Sequence, residues 1–171
     1  MNKHNLDKKL DLVIKEIIDL RRHIHAHPEL SGLEHQTAIL IAGYLKNIGW
    51  TVKESVGRTG LIAEFGPSNN GYIGLRVDMD ALPIGEKTKL EFSSKIDGVM
   101  HACGHDIHIC IGIGVAQLIK DLKLNHGTRI LFQPAEEIAS GAKWMIEDGA
   151  TQNLKQIIGV HVFPELAVGK I

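Results

Sequence analysis

Cysteine is scarce, with two in 171 residues, too few to staple a small secreted scaffold. Net charge is nearly absent as well, at −1. The chain therefore offers no electrostatic footprint for nucleic acid or for an anionic membrane surface. Long apolar runs are missing. The longest weakly polar stretch, Ile109–Ile119, carries two glycines and a glutamine and falls short of the about 20 apolar residues that cross a bilayer. The opening MNKHNLDKKLDLVIKEI puts lysines and acids where a signal peptide has its apolar core, so a cytoplasmic chain is expected. No internal repeat, low-complexity tract or like-charge block occurs, and no internal domain boundary is expected.

What is present fits one globular domain of ordinary size. The chain is 44% hydrophobic and 23% charged, and a domain of this length buries roughly 70% of the surface its unfolded form exposes. Eighteen glycines against five prolines point to tight joints between strands and helices rather than to a flexible linker. Ten histidines are many for this length, and they cluster.

Hydrophobic periodicity predicts a helix over Leu6–Ile24, with Leu6, Leu10, Val13, Ile14, Ile17 and Ile24 on its inner stripe, and a second over Glu34–Asn47, stopped by Gly49. Short β-like runs follow at Trp50–Val56, Leu61–Phe65 and Tyr72–Val77. The last two are joined by Gly66–Gly71, which reads as a hairpin loop. Leu82–Val99 reads as irregular. A glycine-softened helix over Asp106–Leu122, a strand at Thr128–Phe132, a helix at Gly141–Glu147 and a strand at Ile157–Val162 complete the order. The expected fold class is α/β: a mixed β-sheet flanked by helices, parallel in its second half.

Polar residues gather just after the predicted strands: Asp78 and Asp80, then Glu136 and Glu137, then His161. In an open α/β sheet, ligands bind at the carboxyl ends of the parallel strands. The run Met100–His108, opening the next helix, could reach the same edge. Thiolate, imidazole and carboxylate together form a transition-metal ligand set. Blander readings compete at each place. Adjacent acids after Pro134 suit a helix N-terminus, and Asp-x-Asp after a strand is common turn chemistry. His23, His25 and His27 alternate within a helix and do not face one another, so surface or packing roles are expected. Gly112 and Gly114 read as close helix packing and Cys110 as core.

The segments Leu75–Pro83, His101–His108, Phe132–Glu137 and Gly159–Pro164, with Arg21–Leu30 and Gly141–Ile146, resemble the M20 metallopeptidase family. Within it they look like the amidohydrolase branch of hippurate hydrolases, N-acyl-amino-acid amidohydrolases and N-acetyldiaminopimelate deacetylases. The resemblance runs in order along nearly the whole chain, residues 1–171. It implies the N-terminal part of a zinc-peptidase-like catalytic domain, with the lid and dimerisation domain absent. It implies divalent metal ions, two per complete site (manganese, zinc, cobalt or nickel), with Cys103, His105, Glu137 and His161 as ligands and Cys103 bridging. Glu136 would be the general base toward metal-bound water, Asp80 would orient a ligand imidazole, and Asp78 is a second candidate for that task. Ile107 stands where many members have glycine.

The implied substrates are N-acyl amino acids or small peptides, hydrolysed at the amide bond, with neither nucleic acid nor membrane as partner. A homodimer would form through the missing lid. The ending Phe163–Ile171 reads as a loop entering a further strand, so a fragment is expected. Two readings stay open for the stretch itself: part of such an enzyme, or a truncated remnant that folds partly and at most binds metal or a partner chain.

Overall fold

The computed structural model describes residues 3–170; the end-of-chain reading at Ile171 falls partly outside them. Four helices and five strands follow in the order α1 (Lys3–Ala26), α2 (His35–Asn47), β1 (Thr51–Glu54), β2 (Leu61–Phe65), β3 (Tyr72–Asp78), α3 (His105–Ile119), β4 (Gly127–Gln133), α4 (Gly141–Glu147) and β5 (Leu154–Gly159). One mixed sheet runs β1-β2-β4-β3-β5. The pairs β1–β2 and β2–β4 are antiparallel, whereas β3–β4 and β3–β5 are parallel. The predicted α/β class and the parallel second half are what the chain adopts.

The loop Gly66–Gly71 is not a hairpin. Strand β4 lies between β2 and β3, pairing Ile62 with Leu131 on one side and Arg76 with Leu131 on the other. A tight loop between neighbouring runs favours direct pairing only when no third strand takes the intervening edge. Here β4 bonds both, and α3 carries the chain from β3 to its parallel neighbour. The last strand also begins and ends three residues earlier than expected, which leaves Val160–Val162 in a loop.

Alternation in the strands builds two cores. Leu61, Ala63, Ile130 and Phe132 face α1, α2 and α3, where they pack with Ile24, Ile41, Leu45, Ile109 and Ile113. Ile62 and Leu131 face the other way, toward Met145 of α4 and Ala150. Helix α3 lies close to its neighbours: a Cβ on Gly114 would stand 2.6 Å from Ile17 Cδ1, and Cys110 belongs to the core, as their sequence context indicates. The stripe of α1 is only partly covered; Val13 and Ile24 are buried, while Leu6, Leu10 and Ile14 are exposed. The first free N–H groups of α2 are taken by the Glu29 carboxylate, which accepts from Gln36 and Thr37 at 3.1 and 2.8 Å. Among the described residues no helix is long and apolar enough to cross a membrane.

Candidate metal centre

Three parallel strands deliver the site. β3 ends at Asp78, in register with Gln133 at the end of β4, and β5 ends at Gly159. The residues beyond those ends therefore reach one edge of the sheet: Asp80 after β3, Glu136 and Glu137 after β4, His161 after β5. Helix α3 begins at the same edge with His105. Its N-terminal flank, Gly104, has φ +84°, and a Cβ there would stand 2.5 Å from Val162 Cγ2. Glycine is needed on both counts.

His105 is fully buried and central. Its Nδ1 donates to the backbone oxygen of Asp80 at 2.9 Å, with the Asp80 carboxylate 3.3 Å away. That partner fixes the proton on Nδ1 and leaves the Nε2 lone pair free. Nε2 then stands 3.8 Å from Glu137 Oε1 and 3.9 Å from Glu136 Oε2. Cys103 Sγ, a ring nitrogen of His105 and a carboxylate oxygen of Glu137 all lie within 4.8 Å of one another. Cys103 Sγ is also 3.9 Å from His161 Nε2. All four residues expected to bind metal thus share one site.

The donors fit a divalent ion. His105 Nε2 and Glu137 Oε1 are buried and have no hydrogen-bond partner among the described residues, which is costly for polar atoms unless something else meets them. Two ligand atoms bound to one tetrahedral ion at about 2.0–2.3 Å stand roughly 3.3–3.8 Å apart; His105 Nε2 and Glu137 Oε1 stand at the upper end of that range, at 3.8 Å. Without an ion, burial and the neighbouring Glu137 and Glu136 carboxylates push the Cys103 thiol up to about 11. Burial likewise raises Glu137. An ion taken up by these donors would have to displace the Cys103 proton.

The surroundings hold the donors still. Although burial opposes its ionisation, the Asp80 carboxyl sits at about 2, held down by hydrogen bonds from His105, Ser31 and the backbone of Glu137 and Glu136. Ser31 Oγ donates to it at 2.6 Å and the Glu137 N–H at 3.0 Å. Asp80 therefore grips the Glu137 loop as well as His105. Glu136 and Glu137 lie in a turn several residues before α4, so they do not serve as its N-terminal charges. That turn is strained: Ala135 has φ +49°, and a Cβ on Gly141 would fall 1.6 Å from the Pro134 oxygen. The fully buried Glu34 braces it, accepting the Ala135 N–H at 2.8 Å and the Gly32 N–H at 2.9 Å, with Thr59 Oγ1 on its other oxygen. The sequence marks Glu34 only as the start of a helix.

A second proximity group joins Asp78, His105, His108 and His161, but His108 has no lone pair to offer an ion. Its Nδ1 meets Asp78 Oδ1 at 2.5 Å, and its Nε2 accepts the Val162 N–H at 2.8 Å.

The surface and packing roles expected for the alternating histidines divide between them. His23 and His27 are exposed, whereas His25 is buried and bonded to Asp106 Oδ2 at 2.8 Å and Glu86 Oε1 at 3.3 Å. Arg21 Nε, one turn earlier, donates to the same Asp106 oxygen at 2.7 Å. The hydrogen bond to Asp106 raises the His25 pKa against the effect of burial. Beside this group, burial drives His101 down to about 4, so its ring is neutral. A cavity of about 410 Å³ opens here between Cys103, His101, Arg21 and the apolar Leu90, Met100, Ile107 and Phe163.

A mixed sheet that gathers thiol, imidazole and carboxylate donors at the carboxyl ends of parallel strands is an α/β fold with the donor set of a divalent-metal site. The particular family follows from comparison with known proteins. Residues 74–171 match Peptidase family M20/M25/M40, and the chain belongs to it. A probable hydrolase of Synechocystis sp., sll0100, is 47% identical over 163 residues, covering 93% of this chain and 42% of that protein. N-acetyl-L-cysteine deacetylase of Bacillus subtilis is 44% identical over 165 residues, covering 95% and 40%. Among solved structures, the Bacillus subtilis YXEP protein, described as a dinuclear metal binding peptidase from the M20 family, superposes with TM-score 0.88 at 42% identity, covering 93% of this chain and 46% of that one. The chain thus spans less than half the length of these relatives.

Proposed function

We propose that this chain carries the metal-binding and proton-transfer part of an amidohydrolase acting on N-acyl amino acids or small peptides. The observation that carries the reading is the pair of buried, unpartnered atoms, His105 Nε2 and Glu137 Oε1, set beside Cys103 with Glu136 next in sequence. Cys103, His105, Glu137 and His161 would hold divalent ions, two in the complete site, from manganese, zinc, cobalt or nickel. When bound, such an ion supplies Lewis acidity, making water more acidic and the amide carbonyl more electrophilic.

The protein's own part is proton traffic and orientation. Glu136, whose side chain is 39% exposed, reaches the open side of the cluster while Glu137 turns inward. Its carboxylate takes the proton from the attacking water and delivers it to the leaving nitrogen as the C–N bond breaks. Asp80 keeps His105 in the tautomer whose Nε2 lone pair faces Glu137 and Glu136. The cavity beside Cys103, with mostly apolar walls and a neutral His101, suits the acyl side of such a substrate. Family likeness supports the reaction class, and the deacetylase relative supports an N-acyl substrate. Pairing of two copies in the whole protein belongs to the same proposal.

The test is hydrolysis of a panel of N-acyl amino acids by the manganese- or zinc-loaded protein beside Glu136→Gln. The variant is expected to lose at least about 10³-fold in kcat while binding metal normally, in line with general-base contributions. A Glu136→Gln protein of undiminished turnover would refute the assignment.

A further inference from the structure

His108 is buried beside the ligand residues, but both of its ring nitrogens are engaged within the protein. Asp78, the last residue of β3, accepts from Nδ1 and is itself held by Arg76 Nη1 at 2.7 Å. The proton thus resides on Nδ1, and the Nε2 lone pair points at the Val162 N–H, 2.8 Å away. Val162 lies beyond the last ladder pair of β5, which joins Gly159 to Arg76, so the sheet no longer guides the chain there. Its side chain rests over Gly104, where any Cβ would collide with it at 2.5 Å. Between the strand end at Gly159 and this anchor stand Val160 and His161, the latter exposed to solvent with its Nε2 3.9 Å from Cys103 Sγ.

We infer that His108 is a positioning residue: clamped by Asp78, it fixes the Val162 backbone and so aims His161 at the Cys103 side of the metal centre. An exposed imidazole on an unpaired loop would otherwise sample many orientations, and ordering it would be charged against metal affinity. The hydrogen bond from Val162 removes that freedom before an ion arrives. The same bond explains why a histidine next to the ligands is spent on a backbone amide. The inference rests on the reading of His161 as a ligand given above.

The experiment measures Co²⁺ affinity by titration of its visible absorption, together with the exchange protection of the Val162 amide by NMR. It is done on the chain, on His108→Leu, on His108→Gln, on His161→Ala and on the His108→Leu/His161→Ala double variant. Glutamine carries an acceptor oxygen and a donor nitrogen at a separation close to that of the two imidazole nitrogens, so it can bridge Asp78 and Val162. Expected are a 10–100-fold weaker Co²⁺ affinity in His108→Leu, the usual range for a residue that supports a ligand, loss of Val162 protection, and recovery of most of both in His108→Gln. In the His161→Ala background, His108→Leu should cost nothing further, because its effect passes through His161. Effects that multiply would overturn the inference, as would any folded variant that loses Val162 protection and keeps affinity. If His108→Leu fails to fold, the glutamine variant still decides by whether protection and affinity move together. If His161→Ala leaves affinity unchanged, His161 is no ligand and the inference falls with it, whereas the Glu136→Gln assay judges the amidohydrolase reading separately.

Discussion

Two polar clusters meet at the first turn of α3, built from consecutive residues. His105 opens the helix toward Cys103, Glu136 and Glu137; Asp106 points to the other side, toward Arg21 and His25. Both are buried and both mix imidazole with carboxylate, yet their hydrogen-bond accounts differ. In the Asp106 cluster opposite charges meet directly: Arg21 and His25 share one carboxylate oxygen, and Glu86 takes the far side of the imidazole. In the His105 cluster acceptors face acceptors, and His105 Nε2, Glu137 Oε1 and Asp80 Oδ1 are left with no hydrogen-bond partner among the described residues. Composition does not separate a structural ion-pair group from a metal site. Both clusters keep a buried unpartnered atom, Asp106 Oδ1 among them; what sets the His105 side apart is that its imidazole and carboxylate stand with the Cys103 thiol, all within 4.8 Å of one another.

Removing Asp106 should break the structural side alone. Asp106→Asn leaves Arg21 and a raised-pKa His25 without their counter-charge, and is expected to cost about 3 kcal/mol, as for breaking a buried pair. Denaturant unfolding measures it. Metal affinity should change less than threefold, so a large loss would show that the clusters are one unit.

Cys103→Ser is the converse break. It should lower metal affinity at least about 100-fold, since a supporting residue alone is worth 10–100-fold, while metal-free stability moves by no more than about 0.5 kcal/mol. Because the Cys103 thiol sits at about 11, binding at neutral pH releases its proton, and with His105 also raised above 6.5 apparent affinity should rise at least about tenfold per pH unit between pH 6 and 8. Calorimetric titration in buffers of different ionisation enthalpy counts the proton. A pH-independent affinity would mean the sulfur stays outside the coordination sphere.

These two clusters were unequally legible in the sequence. Cys103 and His105 stand two apart, and the acids and His161 follow strand-like runs, so a short motif and the rule of strand ends bring them together. His25 and Asp106 are 81 residues apart and Glu34 and Ala135 are 101 apart. Each lies where helix periodicity or a helix start already accounts for it, so nothing local marks the contact. Strand order failed for a related reason. The short Gly66–Gly71 connection reads as direct pairing, whereas the edge of β2 is taken by β4, a partner over sixty residues on.

Glu34 tests whether a satisfied carboxylate can serve the unsatisfied cluster. Glu34→Gln keeps the size but turns one acceptor oxygen into a donor facing either the Ala135 N–H or the Thr59 hydroxyl. A cost of about 1–2 kcal/mol is expected from one lost charge-assisted bond, and the positive-φ turn at Ala135 should relax with it. Turnover should then fall more than metal affinity, since Glu136 is the next residue. Equal losses in both would place the effect on Glu137 instead.

The smallest effect is the most specific to the structural cluster. His25 titrates above its ordinary 6.5, so the stability it contributes is complete below pH 6.5 and is lost as pH rises through its folded value. Although burial opposes it, the partners of Asp106 hold that carboxyl below its ordinary 3.8, so its contribution is complete above pH 3.8 and is lost as pH falls through its folded value. The two together stabilise most between pH 3.8 and 6.5. The gap in melting temperature between the chain and His25→Gln should therefore be widest in that window and narrow on both sides of it, by a few degrees at most. A gap that stays constant up to pH 9 would mean His25 is neutral and holds Asp106 by hydrogen bonding alone. The contrast between the clusters would then rest on geometry without charge.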